Sequence, residues 1–137
     1  MQDINDLVAQ IVTYDLETPV MFWHTSIESI GDIYNGIGPE WLPKSVRDAM
    51  TSYWGFYGPA AVVHDYEYAM SEDRSRQAFT EANERLRRNC FLLNRKGVPW
   101  YKRWLYQIRC NELADACQLF GWSAWESGGR LVTSKAV

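Results

Sequence analysis

The sequence lacks the features that would send a chain out of the cell or into a membrane. No run of about 18 uncharged apolar residues is present, so no segment reads as a transmembrane helix. The opening "MQDINDLVAQIVTYDL" has acids and no Lys or Arg ahead of its apolar part, which does not fit a secretory signal. Only three cysteines occur, Cys90, Cys110 and Cys117, and no two form a CxxC pair. Both histidines, His24 and His64, lie well upstream of them. Zinc is therefore not expected, and the thiols read as buried and reduced. Reduced thiols without an export signal fit the interior of the cell that makes the protein. There is no internal repeat, no low-complexity stretch and no recognised DNA or RNA motif, so a nucleic-acid partner is not expected. The oligomeric state is not legible.

What is present is enough for one domain with a real core, since 137 residues can bury a sizeable apolar interior. Aromatic residues make up 15%, with seven Trp, so much of that core is expected to be ring-packed. The net charge of −3 is unevenly spread. Residues 72–103 hold nine Lys or Arg against four Asp or Glu, leaving the remainder strongly acidic. Such a basic segment either faces phosphate groups or forms a solvated helix face paired to the acidic part, and the second reading is favoured.

Ile4, Leu7, Val8, Ile11 and Val12 recur at helical spacing, which predicts an amphipathic helix over residues 4–14. "PVMFW" reads as extended, Gly31 to Pro43 as loop, and Lys44 to Tyr53 as a short helix. Gly58-Pro59 is a helix-entry signal opening "GPAAVVHDYEYAM". After a break at 71–74, a second helix is predicted from Ser75 to about Asn94, stopped by Gly97-Val98-Pro99. A third runs from about Trp100 to Phe120, ahead of Gly121. The expected fold is mainly α: a single helical domain over residues 1–126, built on an antiparallel helix pair with a third long helix and an irregular Gly-rich loop. The tail 127–137 is expected to be loosely held.

On the second helix Arg74, Glu81, Arg85, Arg88 and Arg95 fall in one band, and Phe79, Ala82, Leu86, Cys90 and Leu93 on the other side. Asn83 sits at the edge of the apolar side, where an amide needs a partner. His64 shares its face with Ala60, Ala61 and Tyr68. With the chain reversing near residue 72, His64 stands opposite about residue 80, within roughly one helical turn of Asn83. Asp65 points about 100° away from His64 and cannot orient its ring. The pair therefore divides the work: His64 for proton transfer, Asp65 for a neighbouring cation. A hard cation such as Ca²⁺ takes oxygens, and the alternating Gly36 and Gly38 of "YNGIGP" let carbonyls fold inward. The alternative is structural, with His64 bonded to Asn83 or Tyr68 and Asp65 acting as a cap or pairing with an arginine of the second helix.

"YNGIG", "AAVVHDYEY" and "ANERL" in that order resemble the phospholipase A2 arrangement, especially its compact viral versions. That resemblance implies carbonyl ligands for calcium from Tyr34, Gly36 and Gly38, and a carboxylate ligand from Asp65. It implies His64 as the base that activates water, Tyr68 as a brace, and Asn83 in the orienting position. A second resemblance covers residues about 35–125: "NGIGPEWLP", "WGFYGPAAVVHDYEY", "ANERL" and "FGWSAW" are similar to a family of small phage and prophage proteins of uncharacterised function. It implies a phage origin, with a place in the host cytoplasm or the virion. In both families the orienting position carries an acid, here Asn83, and the Asp of the loop is here Asn35. Two readings of function follow. One is a Ca²⁺-dependent lipid or ester hydrolase with a degenerate site. The other is a non-catalytic phage protein that binds a virion component or a host factor on the same scaffold.

"VPWYKRWLY" combines Trp100, Lys102, Arg103 and Trp104, a composition found at membrane interfaces and a candidate contact for phospholipid. Because Tyr101, Leu105, Ile108, Cys110, Leu119 and Phe120 leave no clean exposed stripe on the wheel, its aromatics are instead expected to face the core. His24 has no identifiable partner and reads as structural.

Overall fold

The computed structural model describes residues 3–34 and 43–128, and every regular element among them is helical. The α-helices are α1 (Ile4–Thr13), α2 (Ile27–Ile33), α3 (Lys44–Trp54), α4 (Gly58–Met70), α5 (Arg76–Gly97) and α6 (Arg103–Phe120). Short 3₁₀ turns cover Val20–His24, Gly55–Tyr57 and Trp100–Lys102. A last helical stretch covers residues 122–128, so Ser127 and Gly128 continue it. No helix among the described residues is long and apolar enough to cross a membrane.

Local chemistry explains the helix ends. The side chains of Asp3, Ser26 and Ser75 each accept a backbone N–H of the first turn that follows, in α1, α2 and α5. α4 starts on Pro59, whose missing N–H costs nothing in a first turn. α5 stops where Val98 turns extended ahead of Pro99. The segment expected to be extended at "PVMFW" is instead a 3₁₀ turn, because Phe22 is drawn into the core against Tyr66 and Thr25 Oγ1 meets the Tyr66 hydroxyl at 2.8 Å. Gly31, expected in loop, lies inside α2, beside the Ile4 side chain of α1.

α4 is the central helix. Nine of its 13 residues are buried, on all sides, because α1, α2 and α5 pack around it. Leu7, Ile11, Phe22, Tyr57, Val62, Val63, Leu86 and Leu93 form the main core. A smaller cluster of Phe79, Ala82 and Trp125 closes the end where α4 turns into α5. Each fully buried large side chain contributes roughly 1.5–3 kcal/mol by leaving water. α6 lies against α5, completing three consecutive antiparallel helices.

Within the basic band of α5, Arg85 and Arg88 are paired to acids. Arg85 Nη1 lies 2.8 Å from Glu67 of α4, and Arg88 binds Glu17 at 2.7 Å and Glu81 at 2.6 Å. Arg74 stands apart from this band and donates to the carbonyls of Tyr68, Ala69 and Trp125. Fully buried Asn89 clasps the Glu17 peptide from both sides, accepting its N–H at 2.7 Å and donating to its carbonyl at 2.9 Å. Asp15, at φ 53°, makes the turn that brings Glu17 there.

Candidate functional site

α4 and α5 bring His64 and Asn83 together at the contact that the helix-pair arithmetic anticipates. His64 Nε2 lies 2.8 Å from Asn83 Oδ1, and the Tyr68 hydroxyl donates to the same oxygen at 2.8 Å. The other end of the Asn83 amide, Nδ2, donates to Gln118 Oε1 of α6 at 2.8 Å, and Gln118 Nε2 donates to Thr80 at 3.1 Å. The donors run in one direction through this network. Asn83 Oδ1 only accepts, so Nε2 of His64 carries the ring proton and Nδ1 is the basic nitrogen.

Burial governs the electrostatics. His64 is 8% exposed, and desolvation pulls its pKa down to about 4, against a smaller upward pull from the Asn83 bond. The imidazole is therefore neutral near pH 7. Burial also holds the Tyr68 hydroxyl protonated well above its ordinary value, so it remains a donor. The Tyr68 ring is fixed by His64 (centroids 4.2 Å apart) and by an edge contact with Trp125 at 5.2 Å. Gly121 makes room for it: a Cβ there would sit 2.5 Å from the Tyr68 oxygen. The glycine of "FGW" is thus a packing requirement of the site.

Asp65 is half-buried, and its charge is felt by Tyr68 as well as by groups outside the His64 network. Its charge adds to burial in raising Tyr34 to about 12 and Cys117 to about 12. Tyr34, at the end of α2, is thereby placed close to the Asp65 carboxylate. Gly36 and Gly38, the other expected loop ligands, and Asn35 lie outside the described residues. Among the described residues no cluster of three or more His, Cys, Asp or Glu side chains is found. Of the expected oxygen donors for calcium, the described residues include the Asp65 carboxylate and the Tyr34 carbonyl. Cys90, Cys110 and Cys117 are free thiols.

The segment "VPWYKRWLY" departs from its expected core-facing arrangement. Trp100, Tyr101 and Trp104 are exposed, as are Ile108, Leu119 and Phe120. The wheel mixes these with core positions such as Cys110, but no further described element covers that side of α6. Arg103 is occupied structurally, donating to the carbonyls of Val98 and Arg95 at 3.0 and 2.9 Å. Lys102 is exposed beside Tyr101, and His24 is exposed at the end of its 3₁₀ turn. Gln118 and Thr80 escaped sequence reasoning altogether. Their signal was available in the register of α6: with reversal near residues 98–100, Asn83 stands opposite about residue 116.

Comparison of the chain with known protein families, with curated proteins and with solved structures found no match.

Proposed function

We propose that this chain is a phage-encoded, phospholipase A2-like protein that works as a Ca²⁺-dependent lipid or ester hydrolase. The observation that carries the reading is the shared Asn83 oxygen, which takes both the His64 Nε2 proton and the Tyr68 hydroxyl at 2.8 Å. Burial keeps the ring neutral, and this bond fixes the proton on Nε2, so Nδ1 is unprotonated, the state a general base needs. In the proposed reaction Nδ1 accepts a proton from a water molecule that attacks an ester carbonyl, and Nε2 stays bonded to Asn83 throughout. Tyr68, Gln118 and Thr80 hold the amide so that the ring does not turn. Calcium, when bound, supplies positive charge for the developing oxyanion. Asp65, with the carbonyls of Tyr34, Gly36 and Gly38, would hold it. The sequence resemblances support this reading, and with it we propose a location in the host cytoplasm or the virion.

An amide at position 83 favours a second reading. A carboxylate would stabilise the imidazolium formed after proton transfer, and Asn83 can only orient the ring. On that ground the scaffold serves as a non-catalytic binding protein for a virion component or a host factor.

The two readings separate on fatty-acid release from mixed phospholipid vesicles, measured with millimolar Ca²⁺ and with chelator. The hydrolase reading expects release that needs both calcium and His64, with His64→Ala losing on the order of 10²-fold or more. A folded wild-type protein that releases nothing across roughly pH 6–9 sinks it.

A further inference from the structure

The amino-terminal end of α6 carries an exposed patch remote from the His64–Asn83 pair. Trp100 and Trp104 are 79% and 65% exposed, and exposed Ile108 continues the same row at a spacing of four. Tyr101 and Leu105 widen it. From Arg85 to Asn111 the sequence holds eight Lys or Arg and no Asp or Glu. Arg85, Arg87 and Arg88 face carboxylates. Arg95, Lys96, Lys102, Arg103 and Arg109 join no ion pair among the described residues.

Beside this patch a cleft of about 330 Å³ opens between α5 and α6, lined by Phe91, Asn94, Arg95, Arg103 and Gln107. Asn94 is 2% exposed and its amide is engaged by the Tyr57 hydroxyl at 2.8 Å, which in turn donates to the Tyr106 carbonyl at 2.6 Å. Among the described residues the cleft lining holds two guanidinium groups and no carboxylate. That combination suits an anion.

We propose that this end of the molecule docks on an anionic lipid surface. Trp100 and Trp104 enter the boundary between headgroups and acyl chains, and a lipid phosphate occupies the cleft against Arg95 and Arg103. A second copy of the chain fits less well, because a two-fold contact would bring two sets of unpaired cations face to face. The docking surface is separate from the hydrolase reading: along α5 it lies about 20 Å from Asn83.

The test is co-sedimentation with vesicles of equimolar phosphatidylglycerol and phosphatidylcholine, and with vesicles of phosphatidylcholine alone. Wild type is expected to sediment with the first and remain free with the second. The doubles Trp100→Ser/Trp104→Ser and Arg95→Glu/Lys102→Glu, checked for helicity by circular dichroism, should each bind at least about tenfold more weakly. His64→Gln should sediment like wild type, so a failed hydrolysis assay leaves this result standing. Equal binding to both vesicle types, no binding by wild type, or folded doubles that bind normally overturns the proposal. So does a dimer in analytical ultracentrifugation that the tryptophan double abolishes, which would make the patch a self-interface.

Discussion

Burial and hydrogen bonding pull the His64 ring in opposite directions, and burial is the larger. The Asn83 oxygen fixes the tautomer but brings no negative charge, so its upward pull on the His64 pKa leaves the value at about 4. A carboxylate in the same place would add a full opposite charge at hydrogen-bond distance. Asn83→Asp is therefore expected to raise the His64 pKa by more than one unit, read from the imidazole resonances in an NMR pH titration. The wild-type spectrum should show the Nε2–H tautomer at pH 7. The opposite tautomer would mean that the amide network runs the other way and that Nδ1 is not the base. At this scale the sequence was informative where helical geometry fixes distance: reversal near residue 72 and a rise of about 1.5 Å per residue bring His64 to Asn83. Gln118 needed the register of a second helix turn, whose errors accumulate over more residues. The amide partner on α6 was missed for that reason.

Among the elements, α4 and α5 are joined by apolar packing and by one nearly buried ion pair. Glu67 Oε2 accepts from Arg85 at 2.8 Å, yet burial outweighs the arginine and raises the carboxyl to about 6, with Oε1 buried and unpartnered. Arg85→Ala strands that carboxylate. The expected loss is about 3 kcal/mol at pH 8, and a smaller one at pH 5, where Glu67 takes up a proton. Urea unfolding at the two pH values decides this, and an equal loss at both would show that Arg85 acts through packing alone. Helix boundaries from α3 to α6 were legible because Gly, Pro and Ser punctuate them. α2 was not, since Gly31 reads as a breaker although the Ser26 cap carries the helix through it. The exposed face of α6 was also not legible. Helical periodicity tells which residues share a face but not whether any element remains to cover it.

Across the whole molecule, acid response follows from groups whose protons are held differently on folding. The His64 pKa falls from an ordinary 6.5 to about 4 on burial. Below pH 6.5 the unfolded chain binds a proton that the native state refuses, so stability declines as pH falls and the full loss is reached near pH 4. That loss is about 3 kcal/mol. Glu67 works the other way: its raised value lets the native state take a proton first, between about pH 6 and 4.5, offsetting part of the decline. His64→Gln should flatten the stability curve between pH 7 and 4.5 in urea titrations. Parallel curves for variant and wild type would show that His64 is not the controlling group.

The surroundings of the cysteines bear on how the molecule ages. Attack by oxidants and alkylating agents goes through the thiolate. Cys90 is fully buried and its thiol is pushed far up, while burial and the Asp65 charge lift Cys117 to about 12. Both sulfurs are thus kept in their unreactive form at neutral pH. Burial contributes most of that lift at Cys117 and the Asp65 carboxylate the remainder, so a divalent cation held by Asp65 would lower the Cys117 pKa only in part and leave burial as its protection.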